Sequence, residues 1–264
     1  MSPPRAALAE GRGISRTDLV AREIKHWILT QALEPGAKLP NETELVQLFK
    51  CSRGTVRECL RSLEAIGLVR IVRGAGGGAQ VSQIEPDKVA ELLRIYAYFQ
   101  HMSWSQIFEV RQSIEPEIAA SVFGKLTKDD FARLERTIND YSQESSNQWN
   151  SRKHRLAEIE FHRIISERCE NPILRIMSIL VLNILHDLNV NFDIEVFDSD
   201  GFSHENCCAH QQILRQYKTG NAESVRATML GHIHSAGCFM RTSSGPPSPH
   251  KLFNAMGAFG QTGS

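Results

Sequence analysis

Apolar residues recur every three or four positions along most of this chain, the spacing that lines one face of an α-helix. Between residues 19 and 30 the face consists of Leu19, Ile24, Trp27 and Ile28, and Pro35-Gly36 blocks its continuation. A second helix starts after Pro40, where Asn41 and Glu44 have the spacing of a capping box ahead of Leu45, Leu48 and Phe49. Ser52 is placed to cap a third helix that turns Val56, Leu60 and Leu63 inward and ends at Gly67. Segments 68–73 and 79–82 then flank the turn Gly74-Ala75-Gly76-Gly77-Gly78 and read as a β-hairpin. Three helices and a hairpin in this order are the layout of a winged helix.

From residue 87 to 241 the period stays helical. The expected segments are 87–101, 103–124, 127–144, 152–168, 171–192, 204–218 and 221–241, with breaks at Thr127-Lys128-Asp129-Asp130, Asn171-Pro172, 198–203 and Thr219-Gly220-Asn221. Short loops between long helices make antiparallel neighbours. The expected fold is therefore mainly α: a winged helix-turn-helix of three helices plus a β-hairpin wing over 14–82, a linker at 83–86, and an all-α antiparallel bundle of about seven helices over 87–242. Residues 1–13 and 243–264 are rich in Pro, Gly, Ala or Ser, bury too little to offset ordering, and are expected to be disordered tails.

The 264 residues are enough for two separate cores. Lys+Arg and Asp+Glu number 30 each, so global charge excludes bulk attraction to a polyanion. The distribution is uneven. Residues 1–83 hold 12 Lys/Arg against 8 Asp/Glu, a net of +4, while residues 84–264 hold 18 against 22, a net of −4. A basic front on an acidic back directs a nucleic-acid reading to the front. The six cysteines (Cys51, Cys59, Cys169, Cys207, Cys208, Cys238) form no C-x-x-C pair and follow no signal peptide, which points to a reducing, cytoplasmic setting. The longest apolar stretch, 176–185, falls short of the roughly 20 residues of a membrane span, so no membrane partner is expected.

In Ser52-Arg53-Gly54-Thr55-Val56-Arg57 the two arginines lie four apart, opposite the Val56/Leu60/Leu63 stripe. That leaves their face free to enter a major groove, where arginine reads guanine through two hydrogen bonds and the helix's first turn meets phosphate. The alternative is a solvated face with Arg57 paired to Glu58 or Glu64. The string PGAKLPNETELVQLFKCSRGTVRECLRSLEAIGLVRIVRGAGGGAQV decides for the first reading, because it resembles the GntR-family winged helix-turn-helix over residues 17–82. The resemblance implies that Arg53 and Arg57 contact operator bases, that Ser52 and Thr55 begin the recognition helix beside them, and that Gly76 and Gly77 bring the wing tip to the minor groove. Thr43 stands where many members have a DNA-contacting arginine, and Gln31 where glycine is usual. The implied partner is a short palindromic double-stranded operator gripped by a homodimer.

The helical part resembles the FCD-type ligand-binding bundle of the FadR subfamily. The pattern runs Glu109-x-Arg111-x-x-x-Glu115, Glu158-Ile159-Glu160-Phe161-His162, Asn171, His210 and His232. Its implication is a regulator, usually a repressor, that senses a small organic-acid effector through a bound metal. The residues also carry this on their own terms. Glu158 and His162 are i,i+4 on one helix, His210 shares a stripe with Ile213, Leu214 and Tyr217, and His232 shares one with Val225, Met229 and Ala236. A hydrogen-bonded core histidine is the usual explanation for any one of them. Three inward imidazoles with a carboxylate, at the family's positions, favour a divalent ion: zinc, nickel, iron or manganese. Glu158 replaces the family's usual aspartate or asparagine. Arg111 can hold an effector carboxylate through its N–H fork, or pair with Glu115 at i,i+4. Cys207 and Cys208 read as soft ligands, as a redox pair or, in the usual case, as inert buried thiols. The alternative function is a metal-dependent enzyme, hydrolase or oxygenase, built on the same His/Glu cluster.

Overall fold

The computed structural model describes residues 14–74, 77–100, 102–142, 152–191 and 200–243. The tail expectations at 1–13 and 244–264, and Gly76 of the wing, lie outside them. The chain divides into two compact units, residues 1–88 and 89–264.

The first unit holds α1 (Arg16–Thr30), α2 (Glu42–Phe49), α3 (Arg53–Ala65), β1 (Val69–Val72) and β2 (Gly78–Val81). Local chemistry sets each boundary. Ser15 Oγ accepts from Asp18 N at the start of α1, and the turn beyond its end places Ala32 at φ +46°. The capping box of α2 forms as expected: Asn41 accepts from Glu44 N at 3.0 Å, and the Glu44 carboxylate accepts from Asn41 N at 2.8 Å. Lys50, left-handed at φ +46°, ends that helix. Ser52 caps α3 through Thr55 N at 3.0 Å. Val20, Ile24, Trp27, Leu45, Phe49, Val56, Leu60 and Leu63 form the core beneath α3 and the sheet.

β1 and β2 pair antiparallel from Val69↔Val81 to Val72↔Gly78. Residues 36–39 bond along the other edge of β2, with Leu39 N donating to Ala79 O at 2.9 Å. In the turn, a Cβ on Gly77 would collide with the Val72 carbonyl, so only glycine fits there.

Among the described residues the second unit is built of seven helices: α4 (Pro86–Phe99, which starts in the first unit), α5 (Trp104–Ser121), α6 (Lys128–Ser142), α7 (Arg152–Glu167), α8 (Pro172–Asn191), α9 (Asp200–Thr219) and α10 (Ala222–Ser243). These follow the expected segments, except that α9 starts inside the predicted break and α10 runs to Ser243, where a tail was expected to begin. The fold is thus mainly α, with one two-stranded sheet. α5 is the axis of the unit and packs on α7, α8 and α10. Gly237 of α10 lets that helix close on α5, since a Cβ there would stand 3.2 Å from the Phe108 ring. Tyr217 Oη donates to Ala119 O at 2.8 Å and ties α9 to α5. At the start of α6, the Asp130 carboxylate accepts from Thr127 N and Oγ1 and takes both arms of Arg168 from the end of α7, at 2.8 and 2.9 Å. No helix is long and apolar enough to cross a membrane among the described residues.

Candidate functional site

The Ser52 cap frees the first turn of α3 from the body of the unit and points its polar residues outward. Arg53 and Arg57 are exposed, as are Ser52, Thr43 and Gly77, while Thr55 is partly buried. The Ser52 and Thr55 hydroxyls bond each other at 2.9 Å. Arg57 pairs with Glu42 of α2 at 2.9 Å, not with Glu58 or Glu64. Glu58 instead accepts from Thr17, and Glu64 from the Ile71 backbone N–H of the wing strand. The pair is exposed on both sides, so it orients Arg57 at little energetic cost to its release.

Inside the second unit, α7, α9 and α10 bring His162, His210 and His232 together. Their Nε2 atoms lie 3.2, 3.2 and 3.3 Å apart, and all three rings are buried. Phe161 stacks on His210 with ring centroids 4.0 Å apart and fixes that ring's plane. Burial, together with the neighbouring imidazoles and the Arg111 charge, holds His210 and His232 well below the usual histidine range and therefore neutral.

Beneath His162 lies a carboxylate from α5. Glu115 Oε2 is 2.7 Å from His162 Nδ1. Glu115 also takes the Arg111 guanidinium through Nε at 2.5 Å and Nη2 at 3.3 Å. Burial alone would raise the Glu115 pKa, but Arg111 and His162 more than offset it and hold the group ionised, below the usual carboxylate range. Pro116, next in the helix, removes one rung from the α5 ladder beside this pair.

These donors fit a divalent ion. With Glu115 at Nδ1, the proton of His162 belongs on that nitrogen and the Nε2 lone pair faces the other two rings. Three ring nitrogens facing one another cannot all be satisfied among themselves. An ion about 2.0–2.1 Å from each nitrogen in tetrahedral geometry sets them roughly 3.3–3.4 Å apart, close to the separations observed.

Residues 16–78 match the family model of bacterial regulatory proteins of the gntR family, and residues 106–235 match the FCD domain. The chain belongs to the GntR family. Among its relatives, the HTH-type transcriptional regulator LutR of Bacillus subtilis is 25% identical over 76% of this chain and 90% of its own length. The galactonate operon transcriptional repressor of Escherichia coli is 27% identical over 64% of this chain and 73% of its own. The structure of a GntR protein from Streptococcus agalactiae superposes with a TM-score of 0.53 at 25% identity, covering 84% of this chain and 99% of that one. This GntR-family protein is a DNA-binding transcriptional regulator with an FCD domain, and the enzyme alternative falls with that membership.

Within the FCD domain, the structure gathers three of the four residues that the sequence grouped. Glu158, partly buried one turn before His162 on α7, stands outside the group of ligand atoms that lie within 4.8 Å of one another. Arg111 is in the Glu115 ion pair, the second of its two sequence readings, with its guanidinium over the Phe108 ring at 5.2 Å. Glu115 is the residue that sequence reasoning undervalued. Its spacing showed the contact with Arg111; the contact with His162 crosses from α5 to α7, and no local period reports it.

Proposed function

We propose that this GntR-family regulator is a cytoplasmic homodimeric repressor whose operator affinity is set by a small organic acid bound beside a divalent metal in the FCD domain. Residues 14–82 serve as the DNA-binding part and 87–242 as the effector-binding part. Arg53 and Arg57 read base edges, Ser52, Thr55 and Thr43 lie along the backbone, and the wing turn at Gly76 and Gly77 approaches the minor groove. One winged helix reads only a few base pairs, so a two-fold symmetric site needs two copies. Repressor action is the role of the galactonate operon relative.

The observation that carries the reading is the convergence of three buried imidazoles, from three helices, over an ionised carboxylate. His162, His210 and His232 would hold the ion, zinc, nickel, iron or manganese, with Glu158 as a further candidate from the next turn. When bound, the ion supplies positive charge and open coordination positions for a carboxylate. Glu115 fixes the His162 tautomer and ring direction, and Arg111 keeps Glu115 ionised. Arg111 adds a positive field to the site even while paired. Differential effector affinity for two states of the protein then shifts DNA affinity.

The test is operator release, using DNA selected from random sequence by the protein itself. Organic acids release it from the metal-loaded protein and not from chelator-stripped protein or His232→Ala. Release that ignores both chelator and variant contradicts the reading.

A further inference from the structure

Four carboxylates lie on α2 and α3, and three of them are engaged within the first unit. Glu44 closes the capping box of α2, Glu58 accepts from Thr17, and Glu64 accepts from the Ile71 backbone N–H. Glu42 is the fourth. It opens α2 and turns its carboxylate to Arg57 on the outward face of α3, where Oε2 accepts from Nε at 2.9 Å. A negative charge beside a helix that meets phosphate opposes DNA binding in general, so its place there calls for a reason. The dipole of α2 favours a carboxylate in the first turn, which is one reason. The bond to Arg57 supplies another.

That bond divides the guanidinium. Nε is occupied, while the two Nη groups make no hydrogen bond among the described residues. An arginine meets O6 and N7 of guanine either side-on, through Nε and one Nη, or end-on, through both Nη groups. With Nε on Glu42, only the end-on approach is left. Arg53, four residues earlier on the same face, is exposed and has no side-chain hydrogen bond or ion pair among the described residues. DNA that covers this surface excludes water and strengthens the attraction between Glu42 and Arg57. Breaking the pair in the complex would leave Glu42 uncompensated against phosphate, so the complex keeps it.

We propose that Glu42 is a positioning residue for DNA recognition, holding Arg57 for end-on reading of one guanine and so sharpening the choice of base at that pair alone. This rests on the assignment of Arg57 to base edges made above. It goes further in naming the side chain that makes the arginine selective and the way in which the guanine is met.

The experiment measures, at one salt concentration, affinity for DNA that the protein has selected from random sequence, for the same DNA with each base pair changed in turn, and for unrelated DNA. Arg57→Ala marks the pair that Arg57 reads, and Arg53→Ala marks a control pair. Glu42→Ala should cut discrimination at the Arg57 pair about 3- to 10-fold, the scale of fixing one long side chain on binding. It should leave the Arg53 pair unchanged, and hold or raise affinity for unrelated DNA, because a negative charge has left the surface. Glu42→Gln keeps an oxygen for Nε and should restore much of the discrimination. In an Arg57→Ala background, Glu42→Ala should change discrimination no further. A carboxylate that serves only the helix dipole would lower the melting temperature of Glu42→Ala without moving discrimination at either pair. That outcome, or an equal loss at both pairs, overturns this inference and leaves the base-reading assignment standing. An Arg57→Ala protein that keeps discrimination at every pair overturns both.

Discussion

Glu115 sits between the buried Arg111 guanidinium and the His162 ring, and its removal has consequences that differ from those of an ordinary core substitution. Glu115→Gln keeps the shape but strands the Arg111 cation, and should cost about 3–5 kcal/mol of stability in urea unfolding. Replacing both partners, Arg111→Met with Glu115→Leu, should cost less than the single change, since no unpaired charge remains. Glu115→Gln should also lower metal affinity about 10- to 100-fold through the freed His162 ring; unchanged affinity would reduce Glu115 to a structural partner. Asp130 offers a cleaner pH readout. Hydrogen bonds from Arg168 and Thr127 outweigh its burial and bring its pKa from 3.8 down to about 2. In the unfolded chain it binds a proton first as pH falls, so its contribution is complete above about pH 4 and is lost as pH drops through about 2. Asp130→Asn should flatten stability against pH in that window. A slope equal to that of the native chain would show that the carboxylate contributes nothing there.

At the scale of elements, most of the architecture was legible because caps and stripes are local. The Asn41/Glu44 box, the Ser52 cap and the Val56/Leu60/Leu63 face are all found where spacing put them. Contacts between elements were not legible. The alternative reading paired Arg57 with Glu58 or Glu64, yet those acids serve Thr17 and the Ile71 N–H, and the partner is Glu42 of the preceding helix. Glu158 joined the histidines on the family pattern and on i,i+4 spacing with His162, which guarantees a shared helix face but not a shared point in space. Gln31 marked a departure from a usual glycine, while the left-handed strain falls on the next residue, Ala32. Ala32→Gly should therefore stabilise the first unit by about 0.5–1 kcal/mol, against the usual direction for that change. On α3, Arg53→Ala and Arg57→Ala should each cost roughly 1–3 kcal/mol in specific binding, with the loss confined to particular base pairs if the arginines read bases. Equal weakening on all DNA would assign them to phosphate instead.

For the molecule as a whole, a DNA-reading unit and a histidine-centred bundle lie in one chain with no net charge, and the regulation proposed here couples them through a bound ion. The GntR-family membership makes it a regulator; metal control of that regulation is the proposal to be tested. A homodimer should appear by light scattering at micromolar concentration, and a monomer that holds its operator at full affinity would contradict two-fold recognition. The most direct test is calorimetric titration of a divalent metal into chelator-stripped native protein and into His162→Ala. About one ion per chain is expected for the native protein, with uptake lost in the variant, because His210 and His232 alone offer too few ligands. No uptake by the native chain, or the same uptake by His162→Ala, would mean that the three imidazoles form a hydrogen-bonded core and that the effector is recognised without a metal.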